Sequence, residues 1–352
     1  KNHCFVYTWY IDEEQENGTS IRIYCLNDDN TTSCLKVDNF TPFVYIELPI
    51  NINWNEGKAQ LIGNKLDELM GNKKPLRKIL MNKKKLYGAH LKKDSDEYKQ
   101  FPYLLCSFAT RKDIKILLFK LRKRLHIIGL GSIQLKIHES DADEILQLTC
   151  CRKIPTAGWI EFHGKIEEEC NKITLCDKEY KVKWKNIFPY ETDKIALPKI
   201  MGFDIEVNST NPTAMPKPEN PGDVVFQISC VIFRHGDLSS DYEKYLLTLG
   251  QPDTNIVGED VLVMMFETEA SLLEGFTEFL REENPNLIVG YNILQFDIPY
   301  MLERAKYHMC MFDFDKQGFH KYNHAKEKII KWSSSAYKNQ EFRYLDAEGR
   351  VF

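Results

Sequence analysis

Hydrophobic and polar positions change rhythm twice along this chain. Over residues 3–10, 20–25 and 43–48 they alternate singly, with turns rich in Asn and Asp between the runs, which predicts half-buried strands. From 55 to 130 the spacing becomes helical and the sequence basic. Apolar residues recur at helical intervals over 59–70 and again over 112–126, through Ile114, Leu117, Leu118, Leu121 and Leu125. Between these predicted helices lie Lys73, Lys74, Arg77, Lys78, Lys83, Lys84 and Lys85. Strand-like alternation returns at 131–138, 157–163 and 172–187. A stretch over 188–198 then reads as a linker.

Beyond the linker, strands and helices follow one another. Strands are predicted at 199–207, 223–234 and 243–249, then a helix over 269–282 with Thr268 as N-cap and Asn284-Pro285 as its stop. A strand at 287–290 leads to a helix opening at Asp297, with Pro299 in its first turn, where a missing N–H costs little. A β pair, 329–337 and 341–345, ends the chain. The expected class is α/β in two domains, consistent with 352 residues at roughly 150 per domain. The first, 1–198, is a β-rich α+β domain with a basic helical insert over 55–130. The second, 199–352, has its strands and helices in the order of a ribonuclease H-like nuclease fold.

Candidate chemistry sits on that second pattern. Residues 200–207 form an apolar run interrupted by Asp204 and Glu206. Side chains in a strand alternate faces, so these two acids point the same way. Paired carboxylates on a buried strand repel each other and are costly to desolvate, and a divalent cation offsets both penalties. Asp297, at the mouth of the later helix, is a third acid. Three carboxylates without Cys or His suit two ions of Mg²⁺ or Mn²⁺, which in many nucleases lie about 3.5–4 Å apart and hydrolyse phosphodiesters. In that scheme Asp204 bridges the metals, Glu206 ligates the one holding the attacking water, and Asp297 supports the second. Asn292 can hold a phosphate or the terminal sugar. Phe203 and Phe296 either pack beneath the acids or stack on a base. The plainer alternatives are a chance D-x-E and a helix-capping Asp297.

Composition narrows the class. With 43% hydrophobic and 28% charged residues the chain reads as soluble and globular, and no apolar run approaches the ~20 residues that cross a bilayer. Ten cysteines are scattered without a C-x-x-C pair, which argues against zinc and for reduced intracellular thiols. Residues 1–200 hold 33 Lys+Arg against 27 Asp+Glu, and residues 201–352 hold 14 against 24. A basic part joined to an acidic part fits a nucleic-acid contact beside a metal centre, though two unrelated surfaces would give the same balance. The sequence starts at Lys1 rather than Met and stops in mid-pattern at Phe352, so a piece of a longer protein is expected.

Two motifs carry a family resemblance. Phe203-Asp204-Ile205-Glu206 resembles the first exonuclease motif of family B DNA polymerases, and Gly290-Tyr291-Asn292 with Phe296-Asp297 resembles the second. Residues 268–285 resemble the family's helix before the second motif, 139–141 with 157–161 resemble the end of its N-terminal domain, and 332–337 with 344–350 resemble the delta-type branch, particularly versions from large DNA viruses. The resemblance implies an N-terminal domain that helps hold the single-stranded template and a domain that removes mispaired 3′ nucleotides as monophosphates with two metals. It places Asp204, Glu206 and Asp297 on the metal-binding acids and Asn292 near the substrate strand. It also implies DNA, the remainder of a polymerase chain and a sliding-clamp factor as partners, in the nucleus or a viral replication compartment. The third exonuclease motif and the polymerase palm would lie beyond Phe352, so weak or absent hydrolysis by this segment alone is expected. A non-catalytic DNA-binding module and a stand-alone ribonuclease H-like nuclease are the alternatives.

Overall fold

The computed structural model describes residues 1–12, 19–85, 90–93, 95–253, 255–336 and 338–352. In chain order the first half contains β1 (Asn2–Asp12), β2 (Ser20–Asn27), β3 (Thr32–Asp38), β4 (Phe43–Glu47), α1 (Glu56–Met70), β5 (Arg77–Lys84), β6 (Gln100–Ser107), α2 (Arg111–Lys120), β7 (Leu125–Ile127), β8 (Gly131–Ile133), β9 (Lys136–His138), α3 (Glu144–Arg152), β10 (Gly158–Ile166) and β11 (Lys178–Pro189). The strands β1, β10, β11, β3 and β2 close into a barrel, whose inward residues include Val6, Ile23, Leu35, Ile160 and Phe162. Closure leaves no free edge within this sheet.

Inserted into the barrel's sequence is a second sheet, ordered β5-β6-β4-β9. Its alternate residues Val44, Ile46, Leu80, Leu104 and Cys106 pack with Ile62 and Leu66 of α1 and Leu117 of α2. The Asn55 side chain caps α1 by accepting the Lys58 N–H, and a Thr110–Asp113 capping box starts α2. The expected helical insert is therefore corrected. Residues 77–84 and 100–107 are paired strands, and α2 stops at Lys120. Leu121 and Leu125 are nevertheless buried, so the helical period was carried through a turn by burial alone.

The second half contains β12 (Lys199–Val207), β13 (Val225–Arg234), β14 (Glu243–Leu249), β15 (Val261–Phe266), α4 (Glu269–Glu283), β16 (Leu287–Val289), α5 (Asp297–Tyr307), α6 (Met311–Phe314), β17 (Lys326–Trp332) and β18 (Gln340–Asp346). Its five-stranded sheet runs β15-β14-β13-β12-β16, with β12 antiparallel to β13 and parallel to β16. Thr268 and Ser271 cap α4, and Asn284 ends it in the left-handed conformation. The buried face of α4, Leu272, Leu273, Phe276, Phe279 and Leu280, belongs to the same core as Met201 and Phe203 of the central strand. Each such side chain contributes roughly 1.5–3 kcal/mol by leaving water. The strand β15 was not predicted. The closing pair is observed as β17 and β18, and Tyr337, to which the first of these was extended in sequence, lies outside the described residues.

The two halves are fastened by the end of the chain. Glu348 accepts hydrogen bonds from Arg22, from the Tyr24 hydroxyl at 2.6 Å and from Asn323 at 3.0 Å. Backbone bonds from Leu175 to Phe319 and from Lys321 to Ile173 run alongside. The Asn286 amide adds a bond to the Tyr7 hydroxyl at 3.2 Å.

Candidate active site

The central strand β12 places Phe203 and Ile205 in the core and Asp204 and Glu206 on the opposite, open face of the sheet. Register sets Ser229 beside Asp204 and Gln227 beside Glu206 on that face. Both strand acids are exposed. The expectation that they sit desolvated on a buried strand is corrected here: α4 covers only the other face.

The desolvated acid is Asp297. It is 2% exposed, and its Oδ1 accepts the backbone N–H of Ile205 at 3.2 Å. Burial, with the neighbouring Asp204 carboxyl adding to it, raises its pKa to about 6, against the hydrogen bonds from the Ile205 N–H and its own N–H. Asp204 is thus the neighbouring carboxyl that Asp297 meets. Asp297 is the first residue of α5; Phe296 occupies the cap position and offers no side-chain bond, so Asp297 is not an N-cap.

A tight turn delivers Asp297 to this place. After β16 the backbone passes so near Phe203 that a Cβ on Gly290 would lie 2.7 Å from the Phe203 carbonyl oxygen and 2.2 Å from Ile293. Asn292 takes a φ of 59°, which Asn tolerates better than most residues, and its carbonyl accepts the N–H groups of Gln295 and Phe296. The Asn292 side chain is exposed, and a cavity of about 310 Å³ separates this turn from Phe342 and Phe352. The β18 strand holds the turn from outside, through a bond from Arg343 N–H to the Leu294 carbonyl at 2.9 Å.

The aromatic residues divide. Phe203 is 5% exposed and lies 5.4 Å from Phe276, centroid to centroid. It packs beneath the acids, the first of the two roles expected of it, and its ring is not presented to solvent. Phe296 is half-buried against Tyr300. Tyr291 is 94% exposed at the turn, a residue that sequence reasoning passed over although the G-Y-N motif contains it. The loop 208–224, directly after Glu206, was also unforeseen as structure. Asp223 accepts bonds from Thr210, Lys217 and Asn220, and these hold its carboxyl well below the usual range. Arg304 of α5 donates to the Pro218 and Asn220 carbonyls and is paired with buried Glu269.

Among the described residues no three His, Cys, Asp or Glu side chains close on one point as metal ligands. The structure brings Asp204 and Asp297 together and leaves Glu206 apart, further along the same face. The donor chemistry nevertheless fits a hard divalent cation. Two carboxyl oxygens face each other, one of them buried and protonated to an unusually high pH, and a cation there would replace the proton.

Comparison with known proteins agrees over the whole length. Residues 135–352 match the model of the DNA polymerase family B exonuclease domain. DNA polymerase 120R of Invertebrate iridescent virus 3 is 40% identical across 99% of this chain and 32% of its own length. The DNA polymerase delta catalytic subunit of Glycine max is 26% identical across 94% of the chain and 30% of its own. The family B DNA polymerase of the hyperthermophilic archaeon Pyrobaculum calidifontis superposes with a TM-score of 0.61 at 17% identity, over 90% of this chain and 34% of that one. The chain spans about a third of the length of the curated relatives it matches.

Proposed function

Because the chain belongs to the family B DNA polymerases, we propose that it forms the amino-terminal and 3′–5′ proofreading region of a replicative enzyme. The observation that carries this reading is the meeting of Asp204 and buried Asp297 at the start of a helix, over the open face of the sheet. The reaction is hydrolysis of the terminal phosphodiester. A water oxygen bonds to phosphorus, the bond from phosphorus to the 3′ oxygen of the preceding nucleotide breaks, and a deoxynucleoside monophosphate leaves. Two Mg²⁺ or Mn²⁺ ions, when bound, supply charge neutralisation and a more acidic water.

The chain's own groups then divide the work. Asp204 and Asp297 would hold the ions through their carboxylate oxygens. Glu206, exposed on the same face, is placed to receive the proton of the attacking water directly or to ligate beside it. Asn292 and Phe296 meet the terminal nucleotide, with Asn292 offering its amide to phosphate or sugar. The first half contacts single-stranded template. DNA and the remainder of a polymerase chain are the partners, and a sliding clamp is a further candidate, in the nucleus or a viral replication compartment.

A second reading, a DNA-binding module without hydrolysis, is favoured by one observation: Glu206 does not join the other two acids. The test uses single-stranded DNA labelled at its 5′ end, Mn²⁺, and the parent beside Asp204→Ala, in this chain and in the complete polymerase. Metal-dependent shortening of the 3′ end, lost in the variant, supports proofreading. Equal shortening by parent and variant sinks it, and binding without shortening in the complete enzyme supports the second reading.

A further inference from the structure

Among the described residues every sheet edge but one is guarded. The barrel, being closed, has none. The strands β7, β8 and β9 are three residues each. The edge strand β5 carries Arg77, Lys78, Lys83 and Lys84, and the β17–β18 pair carries charges along both strands. The edge of β16 is covered by the end of the chain, whose Val351 carbonyl accepts the Ile288 N–H at 2.8 Å. Short strands, charges and covering segments are the usual protection of an edge against stray pairing.

The exception is β15. Its residues, Val261-Leu262-Val263-Met264-Met265-Phe266, include no charge, and it pairs with β14 on one side only. The Phe266 carbonyl accepts the Gly250 N–H at 2.8 Å, on the β14 side. Backbone groups alternate sides along a strand, so the N–H and C=O of Val263 and Met265 point to the free edge. Leu262, Val263 and Met265 are 62, 38 and 63% exposed, and Ile256 in the preceding loop is 81% exposed. The apolar surface continues inward over a cavity of about 540 Å³ lined in part by Val231, Leu246, Val257 and Val261. An uncharged strand with open backbone groups is a template for another strand. Its flanks are acidic: Glu259 and Asp260 precede it and Glu267 follows it, all exposed. A second copy pairing antiparallel would set the Glu259 and Asp260 end of each strand against the Glu267 end of the other, and like charges across a strand pair destabilise it. Lys or Arg in those places complements them instead.

We propose that β15 is a docking edge for another protein, which adds an extended segment to the sheet as its next strand. The segment is apolar at its centre and carries Lys or Arg at both ends. Main-chain hydrogen bonds to Val263 and Met265 hold it, and its alternate side chains lie on the exposed apolar surface. Register places Asp204, Ser229, Leu246 and Val263 in one row across the open face of the sheet. At about 4.8 Å between neighbouring strands, the edge lies roughly 14 Å from Asp204. The partner therefore leaves the acids free, and the site does not depend on the proofreading reading.

The experiment adds a fluorescein-labelled peptide, Lys-Arg-Val-Thr-Val-Thr-Val-Arg-Lys, to the full 352-residue chain and follows anisotropy and amide hydrogen exchange. A control peptide has Glu at every basic position. The basic peptide is expected to bind at least about tenfold more tightly than the control, and to slow exchange at the Val263 and Met265 amides. Met265→Pro removes a donor that faces the free edge, where proline is tolerated. Met265→Lys adds the kind of charge that guards β5. Each is expected to weaken binding at least about tenfold. Equal binding of the two peptides overturns the proposal, as does parent affinity in both variants or no binding at about 1 mM peptide. Protection of the Val263 and Met265 amides in the complete polymerase without peptide makes the remainder of that chain the occupant and also overturns it. Concentration-dependent sedimentation of the parent that Met265→Lys abolishes makes a second copy the occupant, with the same result.

Discussion

Asp297 and Ile205 lie 92 residues apart in sequence and are joined by one hydrogen bond, from the Ile205 N–H to the Asp297 carboxylate. Ile205 is the residue between the two strand acids. The start of α5 is therefore referenced to the central strand at the one backbone donor flanked by both Asp204 and Glu206.

That placement makes stability depend on pH in an unusual direction. The folded pKa of Asp297 is about 6, above the ~3.9 of an unfolded aspartate, so between these values the folded state binds more protons than the unfolded one. Stability from this group falls as pH rises from about 4 through about 6, by on the order of 3 kcal/mol. Asp297→Asn removes the dependence while keeping an oxygen for the Ile205 N–H. Urea titrations of the parent and Asp297→Asn, both in chelator, should diverge across that window and converge when Mg²⁺ is added to the parent. Parallel curves would show that Asp297 does not titrate in that window.

Gly290→Ala should damage the turn. A Cβ within 2.7 Å of the Phe203 carbonyl forces the backbone off its path and pulls Asp297 from Ile205. The cost expected from overpacking is about 1–3 kcal/mol, read as a lower urea midpoint, with 3′-end excision reduced more than DNA affinity. An unshifted midpoint would mean that the strand and turn separate easily.

Tyr291→Ala should do the reverse. The side chain is 94% exposed, so folding stability should change by less than about 0.5 kcal/mol. Its position at the turn predicts weaker retention of a single-stranded 3′ end, measured as a raised KM with kcat little changed. A normal KM would leave Tyr291 without a part in substrate binding.

How much of this was legible depended on which physical signal was local. Alternation placed Asp204 and Glu206 on one face, and Pro299 marked the start of α5 at Asp297. Which face of β12 stays open is set by where α4 packs, and no period in 199–207 records that; the burial penalty was accordingly assigned to the strand acids when it belongs to Asp297. The strand β5 was hidden because Lys78 lies on the core side, paired with Asp67 of α1, so its polar pattern did not read as half-buried. The left-handed Asn292 could have been suspected from Gly-Tyr-Asn, but the closeness of Gly290 to Phe203 is a tertiary fact.

Glu348→Gln should loosen the junction between the halves. Arg22 and Glu348 are both almost fully buried, and removing the Glu348 charge leaves Arg22 only its longer pair with Asp12 at 3.5 Å, at a cost of up to about 3–5 kcal/mol. Differential scanning calorimetry should show a lowered melting temperature or a split transition. A single unshifted peak would show that the backbone bonds from Leu175 and Lys321 suffice.

The same junction has a consequence for how the molecule is made. Arg22 leaves the ribosome 326 residues before its counter-ion. At about 5–20 residues per second, the barrel waits on the order of 15–65 seconds with a guanidinium that no carboxylate of its own strand order neutralises so closely. Glu348, made 326 residues after Arg22, therefore closes a strand of the barrel that was laid down long before it.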